Sequence, residues 1–104
     1  MKEITVKELK RKLDKQEDFQ LIDVREEFEY EVSNLNGENI PLGGLLLEVH
    51  KIATDKPVII HCRSGARSAA AVMQLEAQGF TKLYNLKGGI LAWAQEIDPN
   101  IPVY

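Results

Sequence analysis

Apolar residues along this chain follow two rhythms, one of helical spacing and one of short unbroken runs. Val6, Leu9 and Leu13 lie on one helical face behind the capping box Thr5-Val6-Lys7-Glu8, which predicts a helix through residue 14. Residues 19–24 predict a short strand. Residues 26–32 return to helical spacing, with Phe28 and Val32 four apart. A loop over 33–42 contains a short extended piece at 38–40, and 45–52 predicts another helix. Asp55-Lys56-Pro57 turns the chain into a β-branched strand at 58–62. Ser68, or the residues just before it, opens an alanine-rich helix over 69–78 that stops at Gly79 in a C′ role. A strand at 82–86 and a helix at 89–96 follow, ending before Asp98-Pro99. Strands that alternate with helices imply βαβ units and a parallel sheet covered on both faces, an α/β fold. Without repeats, low-complexity tracts or internal linkers, residues 1–104 read as one domain.

Composition narrows the function classes. A net charge of −3 gives no reason to expect nucleic acid or an acidic membrane as partner. No apolar run reaches the roughly 18–20 residues that span a bilayer, and Met1-Lys2-Glu3-Ile4 lacks the apolar core of a secretory signal. A cytoplasmic location is the expectation. Cys62 is the only cysteine, which excludes an intramolecular disulfide and any C-x-x-C redox or zinc arrangement.

That cysteine is where the chemistry concentrates. Val58-Ile59-Ile60-His61 runs into Cys62, then Arg63, Ser64, Gly65, Ala66, Arg67 and Ser68 form a tight polar loop before the alanine-rich helix. In a parallel sheet, ligands bind beyond the carboxyl ends of strands. Ser64 and Gly65 let successive N–H groups converge, Gly65 because it tolerates positive φ. The positive end of the helix faces the sulfur, and Arg63 and Arg67 add full charges. Thiols in such settings have pKa values of roughly 3.5–7.5, so Cys62 is expected as a thiolate at neutral pH. A merely buried cysteine has no use for a glycine loop flanked by two arginines.

Other polar residues read as support. Asp23, at a strand end on the same side as the cysteine loop, is expected to accept hydrogen bonds from loop or helix N–H groups, with Arg25 as a brace. His61 alternates with Cys62 and points to the opposite face of the sheet. His50 has no second ligand at useful spacing, so no metal site is expected. Trp93, with Leu91 and Ile97, is a packing anchor. Lys7, Lys10, Arg11, Lys12 and Lys15 make a solvated helix face. Glu26, Glu27, Glu29 and Glu31 make an acidic patch that is solvated or serves docking.

Four segments in order carry a family resemblance. The cysteine loop is similar to the active-site loop of the rhodanese (sulfurtransferase) family. Leu21-Ile22-Asp23-Val24-Arg25-Glu26 resembles its "DVRE" signature, Asn39-Ile40-Pro41-Leu42 its "NIPL" turn, and the stretch from Tyr84 through Lys87-Gly88-Gly89 to Trp93 its "L-x-GG-x-x-x-W" ending. The resemblance implies a three-layer fold with a five-stranded, mainly parallel sheet. It implies sulfur transfer through a Cys62 persulfide, from thiosulfate or a protein persulfide to a thiophilic acceptor, with Arg63 and Arg67 holding the anionic donor and no cofactor.

Two alternatives stand beside it: a cysteine phosphatase or arsenate reductase of related fold, and a non-catalytic binding module. Cysteine phosphatases place five residues between nucleophile and arginine. Here Arg63, Ser64, Gly65 and Ala66 are four, a smaller ring suited to one sulfur. Where many rhodaneses carry "GHI-GA-NIP", this chain has Asn34-Leu35 and no histidine. That departure, with the tail after Trp93, resembles rhodanese domains fused to adenylyltransferases that activate ubiquitin-like sulfur carriers. Such an adenylyltransferase and carrier, or a cysteine desulfurase, are the partners implied.

Overall fold

In the computed structural model, which describes residues 1–103, five strands run parallel: β1 (Glu3–Ile4), β2 (Gln20–Asp23), β3 (Glu38–Asn39), β4 (Val58–His61) and β5 (Leu83–Leu86). Their spatial order is β1-β5-β4-β2-β3, which puts the wholly apolar Val58-Ile59-Ile60 stretch at the centre, where both faces are covered. Parallel pairing gathers every carboxyl end at one edge. The register sets Asp23 beside His61 and Ile60 beside Asn85.

The helices are α1 (Val6–Asp14), α2 (Glu27–Val32), α3 (Ala66–Ala77) and α4 (Gly89–Glu96). Side chains alternate across β4 into two cores. Val58, Ile60 and Cys62 join Ile22, Val24 and Leu83 beneath Ala71, Val72 and Leu75 of α3. Ile59 joins Leu21 and Leu86 beneath Val6 and Leu9 of α1 and Ile90 and Trp93 of α4. Trp93 packs there with Ile97, and Leu91 lies outside the cluster.

Three elements differ from the sequence reading. β1 went unread because two residues are too few to show alternation; it exists through pairing with β5, Glu3 beside Asn85. The expected helix at 45–52 is two 3₁₀ turns, Leu42–Leu47 and Val49–Lys51. Gly43-Gly44 withholds helix propensity there, and Leu45 alone of the first turn is buried. Finally, α3 begins at Ala66, two residues before Ser68 and three before the 69–78 stretch expected from sequence, with Gly65 as N-cap at φ 108°. Its far end is a Schellman motif, in which Phe80 N–H donates to Leu75 O and Gly79 N–H to Glu76 O.

Two apolar stripes also differ. Leu13, Phe28 and Val32 are exposed, and the buried residue of α2 is Glu29. Among the described residues, no helix is long and apolar enough to cross a membrane.

Candidate active site

Starting α3 at Ala66 makes Ser68 its third residue, so the Ser68 N–H is one of the donors a helix N-terminus leaves unpaired. It points at Cys62. Ser68 N–H lies 3.4 Å from Cys62 Sγ, Gly65 N–H donates to Sγ at 3.1 Å, and Ser68 Oγ is 3.4 Å away. Cys62 is 1% exposed, beneath a rim formed by exposed Arg63, Ser64 and Ala66. Burial pushes the thiol pKa up. The Ser68 hydroxyl and the N–H groups of Ser68, Gly65 and Ser64 together outweigh burial and hold it below the ordinary value.

Two residues that sequence reading missed hold this ring. Asn85 on β5 accepts the Ser68 hydroxyl proton at 2.5 Å and donates to Gly65 O at 3.3 Å. A polar residue inside the expected strand 82–86 was the available signal. Gly89 is the second. Ile90 and Leu91 of α4 donate N–H bonds to the carbonyls of Cys62 and Arg63, both at 3.0 Å. A Cβ on Gly89 would lie 2.5 Å from Cys62 O and 2.6 Å from Arg63 O, so only glycine permits the approach. Cys62 thus rests its sulfur on the start of one helix and its carbonyl on the start of another.

The two arginines diverge. Arg63 is exposed, and among the described residues its side chain has no ion pair. Arg67 reaches Glu29 instead of standing free: Nη1 donates to Oε1 at 2.6 Å and Nη2 to Oε2 at 2.9 Å. Glu29, expected in an acidic patch that is solvated or serves docking, is instead paired, and it shares the Arg67 charge that was expected to hold the anionic donor. The Glu29 carboxylate also accepts Glu26 N–H at 3.0 Å, completing a capping box. The Arg67 hydrogen bonds hold its pKa below the ordinary 4.5 against the opposing effect of burial. The Glu26-x-x-Glu29 spacing was the sequence signal. Beside Arg67 lies a hollow of about 410 Å³ lined by Val24, Glu26, Leu42, Leu46, Leu47 and Gln74. A larger hollow of about 970 Å³, lined among others by Phe19, Gln20 and Lys56, sits near the amino ends of β2 and β4, away from Cys62.

Asp23 does not serve the cysteine loop. Its carboxylate accepts the Arg25 backbone N–H at 3.0 Å, Nε at 3.1 Å and Nη2 at 2.8 Å, because a fully buried guanidinium needs its counter-ion beside it. Arg25 Nη2 also donates to Ser33 O at 2.6 Å, tying β2 to the segment after α2. Asn39 donates to the Asp23 and Arg25 carbonyls at 3.1 and 2.9 Å, fixing the same corner. His61 lies on this face, opposite Cys62, with Nε2 3.6 Å from Asp23. Burial pushes the imidazole pKa down, and Asp23 opposes it. Among the described residues no cluster of three His, Cys, Asp or Glu side chains forms that could hold a metal ion.

The model of the rhodanese-like domain matches residues 5–96. The chain belongs to the rhodanese-like family. A sulfurtransferase of Allochromatium vinosum is 36% identical over 94 residues, 89% of this chain and 88% of that protein. The uncharacterized protein YqhL of Bacillus subtilis is 46% identical over 79 residues, 75% of this chain and 63% of YqhL. The maize (Zea mays) adenylyltransferase and sulfurtransferase MOCS3-1 is 31% identical over 97% of this chain, which spans only 23% of that longer protein. A crystal structure of a rhodanese-like domain protein from Staphylococcus aureus superimposes with a TM-score of 0.85 at 32% identity, covering 100% of this chain and 99% of the other. The rhodanese-like fold is therefore shared across the whole chain.

Proposed function

We propose that this chain is a sulfurtransferase that carries sulfane sulfur as a Cys62 persulfide. The observation that carries the reading is the buried Sγ held by Gly65 N–H and by the N–H and hydroxyl of Ser68, with its pKa lowered by those donors. The relatives named sulfurtransferases support it. In the first half-reaction the thiolate attacks the outer sulfur of thiosulfate; the S–S bond breaks and sulfite leaves with the electron pair. With a persulfide R–S–SH the leaving group is R–S⁻. In the second half-reaction an acceptor thiolate or cyanide takes the sulfur and restores Cys62, a double displacement. The ring holds the terminal sulfur as an anion, which is electrostatic stabilisation by fixed dipoles. Arg63 meets the charged end of the donor.

The fusion of related domains to adenylyltransferases supports one acceptor class, the activated C-terminus of a ubiquitin-like sulfur carrier. The lone thiol suits a reducing compartment, and the reading places the protein in the cytoplasm. The test is mass spectrometry. Thiosulfate or a persulfide should add one sulfur atom to the protein, cyanide should remove it, and Cys62→Ser should never acquire it. Sulfur transfer by the serine variant would overturn the covalent route.

A further inference from the structure

The Glu29–Arg67 fork stands beside the ring and changes its charge. Both carboxylate oxygens of Glu29 and both terminal nitrogens of Arg67 are engaged, at 2.6 and 2.9 Å. The Glu29 carboxylate is only 6% exposed, and the capping bond from Glu26 N–H fixes where it lies. An approaching anion therefore meets a closed dipole at Arg67, not a free cation. Glu26, exposed, lines the adjoining hollow, and Arg63 is exposed on the cysteine loop.

Resting on the sulfurtransferase reading, we propose that Glu29 is a specificity-determining residue: by cancelling the Arg67 charge it sets the site against doubly charged donors such as thiosulfate and in favour of persulfides, which carry at most one charge. A persulfide reacts as the uncharged R–S–SH, and the N–H ring receives charge on the outer sulfur only once transfer has made the Cys62 persulfide. The donor's body meets the hollow beside Arg67, lined by Val24, Leu42, Leu46 and Leu47 together with the polar Glu26 and Gln74, where the one cation, Arg67, is paired. The transfer balances without a co-reactant: Cys62–S⁻ and R–S–SH give Cys62–S–SH and R–S⁻.

Glu29→Gln tests this, because the amide oxygen still accepts Glu26 N–H while the fork loses its negative charge. Alkylation of Cys62 by iodoacetate relative to iodoacetamide reads anion approach with the thiolate fraction cancelled out. At low salt that ratio should rise about fivefold in Glu29→Gln and less at high salt, as expected for one partly screened charge. Sulfur uptake from thiosulfate relative to 2-hydroxyethyl persulfide should rise further, by about tenfold or more, since a dianion feels twice the interaction. The double variant Arg67→Ala/Glu29→Gln restores neutrality and should return both ratios to within about twofold of wild type.

Unchanged ratios in a folded Glu29→Gln protein overturn the proposal. A double variant far below wild type also overturns it, because Arg67 would then be binding the donor directly. Wild-type protein that alkylates normally yet takes sulfur from neither donor overturns the sulfurtransferase reading instead, and the alkylation ratio still decides whether Glu29 governs anion approach.

Discussion

Ser68 has one hydroxyl proton and three partners within reach: Asn85 Oδ1 at 2.5 Å, Gly65 O at 3.2 Å and Cys62 Sγ at 3.4 Å. A protonated Cys62 can donate its own hydrogen to Ser68 Oγ; an ionised one draws the serine proton toward itself. Ser68→Ala removes that adjustable donor and leaves buried Asn85 short of a partner. It should cost about 1–3 kcal/mol in stability, measured by urea unfolding. Because Ser68 lowers the Cys62 pKa, its loss raises it. Iodoacetamide alkylation at neutral pH should slow several-fold, and the two proteins should converge in alkali where both thiols are ionised. Equal rates at neutral pH would mean that the backbone N–H groups suffice. At this scale the sequence revealed Cys62 and its loop, since the order strand, cysteine, glycine turn, helix is local. Asn85 and Glu29 act across about 17 and 38 residues of chain, and a pairing between elements leaves no periodic trace.

Glycines 65 and 89 make different demands on the elements around the ring. Gly65 caps α3 at φ 108°, yet the nearest heavy atom to an added Cβ is 3.6 Å away, so Gly65→Ala meets backbone strain without a clash. Gly89→Ala drives a carbon into the carbonyls of Cys62 and Arg63 and must push the loop off α4. Gly65→Ala should cost about 1–2 kcal/mol and keep part of the Cys62 reactivity. Gly89→Ala should cost about 1–3 kcal/mol or more and abolish sulfur uptake. Urea unfolding beside a sulfur-uptake assay checks the order; a reversed order would mean that α4 does not fix the loop. Regular elements with strong spacing, such as α1, α3 and α4, were legible. The two 3₁₀ turns were not, because a leucine run with neighbouring glycines carries no clear period. The inward face of α2 was misread for a related reason: its buried group is a charge, which burial favours only because Arg67 lies opposite.

Across the whole molecule, the tail closes the second core. Ile97, Ile101 and Val103 pack against the Trp93 side of the sheet, and Ser33 donates its hydroxyl hydrogen bond to Pro102 O. Ser33 is also the residue whose carbonyl receives Arg25. The segment where the family's histidine was missing is thus tied to the tail and to the buried Asp23–Arg25 pair. Deleting residues 100–104 should cost about 2 kcal/mol, from two half-buried aliphatic side chains, while Cys62 alkylation stays within about twofold. Alkylation that falls in step with stability would show that the tail governs the ring through Ser33 and Arg25. The parallel architecture was legible from alternation alone, but the pairing of the first residues with β5 joins opposite ends of the chain and needed the folded structure.

The rest of Cys62 on two helix starts has a consequence for synthesis. The sulfur's donors come from α3, which follows it at once, but the loop carrying them is held by Ile90 and Leu91 of α4. In a nascent chain that has not yet released residue 91 from the ribosome, the bonds from Ile90 and Leu91 are absent and the thiol should react as an ordinary one. Heightened reactivity is therefore expected only once α4 docks. The thiol becomes a clock for the finished fold. In refolding, its alkylation rate should lag behind the return of helical signal, by the interval α4 takes to settle onto the loop.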